Sequence, residues 1–368
     1  MAPMEQVWAN RAGSAETAIA TRHFQRLWGI PGTQLGVVGW PAVRRERLFG
    51  VWHYWWQAHL LDCLVDAQLR APNADRLTRI TRQIRGHWLR NPGWTNSYYD
   101  DMAWLALALQ RAGGYLGVDT ARATDTLTKQ LVGSWSPADG GGIPWRKSDK
   151  FFNAPANGPA GIFLARHGRV HRATEMADWI DATLIDPDSH LVFDGIKDGS
   201  LVRAQYTYCQ GVVLGLETEL AMRTGEPRHL ARVRRLVGAV ATEMTDGKVL
   251  HGGGGGDGGL FNGITARYLA LVATSLPGDT DADAETRDTA AGIVLASAEA
   301  AWENRQSVDG LPLFGPVWDR VAVIPELPKT AAVKIDGGVN PSEVPEHDLS
   351  VQLGGWMLME AAHTLSHA

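Results

Sequence analysis

The hydrophobic and polar positions of this 368-residue chain fall into two alternating kinds of helical pattern. One kind repeats apolar residues every three or four positions and is otherwise polar, as a helix with one solvent-facing side requires. The other kind is apolar on most sides and rich in glycine and alanine, which is typical of an inner helix. Each apolar segment follows a long loop that contains glycine, aromatic and acidic residues.

The pattern predicts about twelve helices, with a hairpin turn between the seventh and the eighth at residues 192–195. The predicted helices are residues 15–28, 44–70, 73–89, the segment from the loop at 94–99 to about 112, 119–131, a segment through 162–164, 171–184, a segment opened by 206–211, 227–244, 262–276, 283–304 and 346–365. Their close spacing indicates helical hairpins.

Alternation of outer and inner helices predicts an all-α (α/α)6 toroid, in which an inner ring of parallel helices lies within an outer ring. A solenoid of helical hairpins is the structural alternative. The hairpins share no common motif and no polar capping unit is evident, which favours the toroid. No linker interrupts residues 1–368, so a single domain is expected.

Two consecutive carboxylates, Asp100 and Asp101, precede the fourth helix in an aromatic setting. Asn96 and Ser97 resemble a helix cap, so the pair is expected in the first helical turn. Acidic residues are common there because they complement the helix macrodipole. A bare pair would therefore be interpreted as part of a cap, whereas the surrounding rings favour a binding site.

Composition narrows the possible partners. The formal net charge is -5 and no basic stripe is present, so no nucleic acid partner is expected. No stretch approaches the roughly 20 apolar residues of a membrane span.

No signal-peptide run is visible at the amino terminus, which predicts a cytoplasmic protein, or a secreted one if a leader has been removed. A monomer is favoured, and Cys63 and Cys209 are expected to be buried free thiols.

The chain contains 15 tryptophans, more than core packing requires. In a toroid the loops before the inner helices meet on one face, where they would bring together rings, amides and carboxylates. Rings stack on the apolar faces of sugars, and amides and carboxylates bind sugar hydroxyls. The predicted binding residues are Trp52, Tyr99, Trp104, Trp145, Asn153, Asn157, Tyr206, Tyr208, Gln210 and Asp257.

Other site chemistries have weaker signals. The glycine run at 252–256 lacks the Lys-Ser/Thr of a phosphate-binding loop. The twelve histidines lack metal-ligand spacing, so neither a metal nor a cofactor is expected. No Gly-x-Ser-x-Gly motif is present, which argues against an α/β-hydrolase.

Five segments resemble the motifs of glycoside hydrolase family 76, a family of endo-α-1,6-mannanases. They run in order along the chain: Tyr98 to Trp104, Gly140 to Trp145, Asn153 to Gly158, Thr207 to Gly211 and Gly256 to Phe261. The resemblance implies an (α/α)6 fold and hydrolysis of α-mannan or mannooligosaccharides with retention of configuration. Cys209 stands where the family pattern has asparagine, and Pro144 where an aromatic residue is common.

The resemblance further implies that Asp100 is the nucleophile and Asp101 the general acid/base. A retaining mechanism needs two such carboxyl groups about 5–5.5 Å apart. We expect the pKa of Asp101 to be the raised one of the pair, since the acid must hold a proton. A transglycosidase on α-1,6-mannan and a non-catalytic mannan-binding protein are the alternatives. The resemblance favours an endo-acting enzyme.

Overall fold

The computed structural model describes residues 4–137, 141–326 and 338–367. Within these residues the structure is all-α with short two- and three-stranded ribbons, as predicted. The helices are α1 (Met4–His23), α2 (Arg44–Arg47), α3 (Tyr54–Arg70), α4 (Ala74–Arg90), α5 (Tyr99–Leu116), α6 (Ala121–Gly133), α7 (Ala154–Arg166), α8 (Val170–Thr183), α9 (Thr207–Thr224), α10 (Pro227–Glu243), α11 (Phe261–Ser275), α12 (Asp281–Asn304) and α13 (Leu349–Leu365).

The strands form antiparallel ribbons at the ends of the helices. They are β1 (Phe24–Gln25), β2 (Leu35–Gly36), β3 (Phe151–Asn153), β4 (Gly195–Lys197), β5 (Ser200–Val202), β6 (Thr245–Asp246), β7 (Val249–Leu250), β8 (Gln306–Val308) and β9 (Leu311–Leu313). Strand β4 pairs with both β3 and β5, and Asn153 lies opposite Gly195. Two 3-10 turns, Gly256–Leu260 and Pro345–His347, precede α11 and α13.

The chain divides into two compact units. Unit 1 comprises Met1–Pro92, Asp246–Ile264 and Val294–Ala368, and unit 2 comprises Gly93–Thr245 and Thr265–Ile293. The expectation of a single domain stays a prediction. Among the described helices, none combines the length and the apolar character needed to cross a bilayer.

In unit 1, α3 and α13 are buried along most of their length and run parallel. Gly36 lies against Leu60 in the second turn of α3 and against Leu349, the first residue of α13. Arg70, the last residue of α3, contacts Glu360 late in α13. Helix α4 is amphipathic by contrast, which agrees with the predicted inner and outer types.

In unit 2, α5, α7 and α9 are inner helices of the same kind and also run parallel. Gly158 of α7 lies against Val212 of α9, and Gly161 lies against Leu216 one turn later. A β-carbon on Gly158 would come within 2.4 Å of Val212 Cγ2, so glycine is what allows this close approach. Parallel neighbours begin at the same end, so the loops before α5, α7 and α9 lie together.

Several predicted boundaries were wrong. Helix α1 begins at Met4 instead of residue 15, and Ser14 lies inside it, where its hydroxyl donates to Asn10 O. The predicted helix 44–70 is two helices, because Phe49 and His53 have φ values of 53° and 44° and break it. The predicted helix through 162–164 begins earlier, because residues 154–159 form the first turns of α7. The predicted turn at 192–195 leads into β4, and the hairpin turn between β4 and β5 is at Asp198 and Gly199.

Candidate active site

Asp100 and Asp101 are the second and third residues of α5, and both are half-buried. This confirms their predicted place in the first helical turn, where the macrodipole favours ionised carboxylates. The predicted cap was wrong, since Tyr98 is the N-cap residue and its side chain makes no capping hydrogen bond. Asn96 instead accepts a hydrogen bond from the Tyr98 backbone nitrogen at 2.9 Å.

The carboxylate of Asp100 accepts one N–H group on each oxygen. The indole Nε1 of Trp145 donates to Oδ2 at 2.8 Å, and the backbone nitrogen of Asp101 donates to Oδ1 at 2.9 Å. Donors of this kind stabilise the charged form of a carboxyl group. The arrangement suits a group that stays ionised.

Backbone hydrogen bonds fix the position of Trp145. Its carbonyl oxygen accepts from the Tyr99 nitrogen at 2.8 Å, and its nitrogen donates to the Phe151 carbonyl oxygen at 2.6 Å. Its ring packs edge-on against Tyr98, with ring centroids 5.2 Å apart. The indole is thereby held between α5 and β3, with its N–H directed at Asp100. A substrate contact of Trp145 stays a prediction.

Asn153 and Asn157, two predicted binding residues, hold the loop before α7. Asn153 caps the helix by accepting from Ala156 N at 3.1 Å. Asn157 is fully buried and accepts from Ile143 N at 2.8 Å, while its Nδ2 donates to the carbonyl oxygens of Ile143 and Asn153. These contacts give both residues a loop-holding role, and their predicted substrate contacts stay predictions.

Gln210 plays the same part before α9. It is fully buried, and its Oε1 accepts from Val192 N at 2.7 Å, while its Nε2 donates to the carbonyl oxygens of Val192 and Tyr206. Its predicted substrate contact stays a prediction. Tyr206 is 42% exposed and Tyr208 is half-buried, with their rings 6.1 Å apart. Their role in binding stays a prediction.

Two further predicted residues differ in accessibility. Trp104 is 4% exposed and belongs to the core of unit 2, and its predicted binding role stays a prediction. Tyr99 is half-buried, and burial raises the pKa of its phenol. Its predicted binding role stays a prediction.

The remaining two predicted residues, Trp52 and Asp257, belong to unit 1. Asp257 accepts from the indole nitrogens of Trp55 and Trp56 at 3.0 and 3.1 Å, and from Val339 N at 2.7 Å. Its carboxylate orders these groups, and its predicted substrate contact stays a prediction. Trp52 is half-buried, and the Arg90 guanidinium lies 5.0 Å from its ring centroid.

Asp194 is a candidate residue that sequence reasoning missed. Its backbone links β4 to α7, because its carbonyl oxygen accepts from Ala154 N at 2.8 Å. Its side chain lies 4.0 Å from the thiol sulfur of Cys209, and both described cysteines are buried and free, as predicted. Burial raises the pKa of Asp194 to about 7. The sequence feature that could have identified Asp194 is its position directly after the apolar residues Val192 and Phe193.

Replacing Asp194 with asparagine is expected to flatten the pH dependence of stability. A folded-state pKa of about 7, against 3.8 for the free group, means that the folded protein binds this proton more tightly. The contribution of Asp194 to the free energy of unfolding is therefore fully present below pH 4 and is lost as the pH rises towards 7. Between pH 4 and 8 the variant should gain roughly 2 to 4 kcal/mol relative to wild type. Urea unfolding at both pH values measures this gain, and equal differences at the two would contradict the assignment.

A comparison with protein families identifies the family of this chain. The sequence model of glycosyl hydrolase family 76 matches residues 11–327. The chain belongs to glycosyl hydrolase family 76. The resemblance inferred from the five sequence motifs is thus confirmed. A comparison with curated proteins finds no match.

Solved structures of family 76 are similar over nearly the whole chain. The GH76A alpha-1,6-mannanase from Salegentibacter sp. HEL1_6 is 29% identical, with a TM-score of 0.79 over 97% of this chain and 99% of that chain. An inactive variant of that enzyme, with two consecutive aspartates replaced by asparagine, is in complex with alpha-1,6-mannotriose and has the same identity and coverage, with a TM-score of 0.80. The Lin0763 protein from Listeria innocua is 26% identical, with a TM-score of 0.78 over 96% of each chain.

These similarities confirm the predicted fold class, because the related family 76 structures are α/α toroids. They also place the chain among glycosidases, with α-1,6-mannanases as structural neighbours.

Proposed function

We propose that this protein is a retaining glycoside hydrolase that cleaves α-1,6-mannosidic linkages within an α-mannan backbone. The observation that carries the proposal is the pair of consecutive carboxylates in the first turn of α5, with two N–H donors on Asp100. Asp100 is the nucleophile and Asp101 the general acid/base. Glycosidases of this class need one carboxylate that is ionised and one carboxyl group that is protonated.

The sequence supports this choice of residues. Asp100-Asp101 is the only place in the chain where two aspartates are consecutive. The inactive Salegentibacter variant also carries its two replacements at consecutive aspartates, and its ligand is alpha-1,6-mannotriose. An α-1,6-linked mannooligosaccharide is accordingly the substrate class that we assign to this chain.

In the first step, Asp100 attacks the anomeric carbon of a mannosyl unit. The bond from that carbon to the glycosidic oxygen breaks, and Asp101 gives its proton to this oxygen, so that the leaving sugar departs as an alcohol. The product is a mannosyl ester of Asp100 beside an ionised Asp101. The two N–H donors on Asp100 favour the carboxylate as the leaving group of the second step.

In the second step, Asp101 removes a proton from water, and the resulting oxygen nucleophile attacks the anomeric carbon. The ester bond breaks, Asp100 is released as a carboxylate, and Asp101 is protonated again. Two inversions give retention of configuration. A sugar hydroxyl in place of water would give transglycosylation by the same steps.

Incubation with unbranched α-1,6-mannan tests the proposal. We expect release of mannooligosaccharides of mixed length, with the α-anomer appearing first in a proton NMR time course. If mannose alone were released at first, the enzyme would cleave at the end of the chain and not within it. Longer products with an added mannooligosaccharide acceptor would indicate transglycosylation. Binding to mannan without any cleavage would contradict enzymatic function.

A further inference from the structure

Asn96 links the backbone before α5 to one carboxyl group of the pair. Its side-chain Oδ1 accepts from Tyr98 N at 2.9 Å, and its Nδ2 donates to Asp101 Oδ2 at 2.5 Å. The first contact closes a turn in which an asparagine side chain accepts from the backbone two residues later. The second contact reaches from this turn to the carboxyl group of Asp101.

The two contacts fix the orientation of the Asn96 amide. Rotating the amide by 180° would bring its NH2 group to the Tyr98 N–H, so that two donors would face each other. The Tyr98 N–H would lose its acceptor, which is unfavourable. The Nδ2 donor is thereby kept directed at Asp101 Oδ2.

This donor makes the two oxygens of Asp101 unequal. In a neutral carboxyl group the carbonyl oxygen is a better acceptor than the hydroxyl oxygen, so a fixed N–H donor selects the oxygen that it faces as the carbonyl. With Oδ2 facing Asn96, the proton of neutral Asp101 is placed on Oδ1. On Asp100 both oxygens face N–H donors, which favours loss of the proton there.

We propose that Asn96 is a positioning residue that directs the proton of Asp101 to Oδ1 and so orients the acid for proton transfer to the glycosidic oxygen. This inference rests on the proposed function. The Nδ2 donor of Asn96 lowers the barrier of the step in which Asp101 gives its proton to the glycosidic oxygen. That step matters for a sugar leaving group and matters little for a leaving group that is stable as an anion.

The variant Asn96→Ser separates this role from the structural one. Serine keeps a side-chain oxygen that accepts from the backbone two residues on, and it lacks the N–H donor to Asp101. Asn73→Ser is the matched control. Asn73 also holds backbone N–H groups, those of Asp75 and Arg76, at the start of α4.

Two substrates are compared, α-1,6-mannotriose and an α-1,6-mannobioside of dinitrophenol. We expect Asn96→Ser to lower kcat for mannotriose about 10- to 100-fold with KM unchanged, because the acid is misoriented in the transition state only. On the dinitrophenyl substrate the loss should be less than about threefold, since that leaving group needs no proton. Asn73→Ser should match wild type on both, and all three proteins should melt within a few degrees of one another.

Equal losses of kcat on the two substrates, or no loss on either, would overturn the role of Asn96 while leaving the proposed function intact. A fall in melting temperature that accompanies equal losses would assign Asn96 a structural role only. Wild-type protein that cleaves neither mannotriose nor α-1,6-mannan would instead overturn the proposed function itself.

Discussion

Replacing Asp100 with asparagine is expected to lower kcat on α-1,6-mannan by at least about 10⁴-fold, the size of loss seen when a nucleophile is removed. The amide cannot form the mannosyl ester, although it has nearly the same shape as the carboxylate. The hydrogen bond from Asp101 N to the side-chain oxygen can persist, so the first turn of α5 should keep its geometry. Initial rates of reducing-end formation measure the loss, and near wild-type rates would show that Asp100 is not the nucleophile.

Azide distinguishes the roles of the two aspartates. With an activated α-mannoside, Asp100→Ala should yield a β-mannosyl azide, because azide occupies the space of the nucleophile and attacks once. Asp101→Ala should yield an α-mannosyl azide, because azide then attacks the ester formed on Asp100. The opposite pair of products would exchange the two roles.

The second large expected effect is a loss of folding stability when Arg70 in unit 1 is replaced by methionine. Arg70 donates to both oxygens of Glu360, at 3.2 and 3.0 Å, and to Glu16 at 3.1 Å. Glu360 is 3% exposed, and its other hydrogen bond comes from Trp356 Nε1 at 2.9 Å. Removal of the guanidinium leaves a buried carboxyl without a cation, which costs about 3–5 kcal/mol. Urea unfolding at pH 8 measures the loss.

The pH dependence of this loss has a defined sign. Burial raises the pKa of Glu360 to about 7, and Arg70 acts in the opposite direction. Its carboxyl is protonated at pH 5, so the loss should be smaller there, and it should grow as the pH rises above 7. Arg228→Met is the control, because Arg228 pairs with Asp178 at the surface, where such pairs contribute about 1 kcal/mol or less. A loss for Arg70→Met no larger than for Arg228→Met would refute the importance of the buried pair.

The sequence predicted most helices, because apolar periodicity reports directly which side of a helix is buried. It did not detect the break between α2 and α3. Phe49, Val51 and Trp52 are apolar enough to continue a helical pattern, but Phe49 packs in a small core with Leu27 and Leu35 from a non-helical backbone. Hydrophobic periodicity cannot distinguish a buried loop from a buried helix.

The amide-bearing candidates illustrate a second limit. Asn153, Asn157 and Gln210 lie before or within inner helices, and each has at least one side-chain polar atom that binds a backbone group. An amide that binds a sugar and one that holds a loop are identical in sequence. Which of the two it becomes depends on whether a backbone N–H and C=O lie within about 3 Å.

The sequence by itself determined the alternation of helix types and the place of Asp100 and Asp101 in a first helical turn, because helix periodicity and helix starts are local properties. The tertiary structure decided what surrounds each carboxyl group. The indole donor of Asp100 comes from Trp145, 45 residues away along the chain. Asp194 lies beside Cys209 only because the segment before β4 meets the start of α9. Hydrogen-bond donors and burial set the charge of a carboxyl group, and both depend on packing between distant segments.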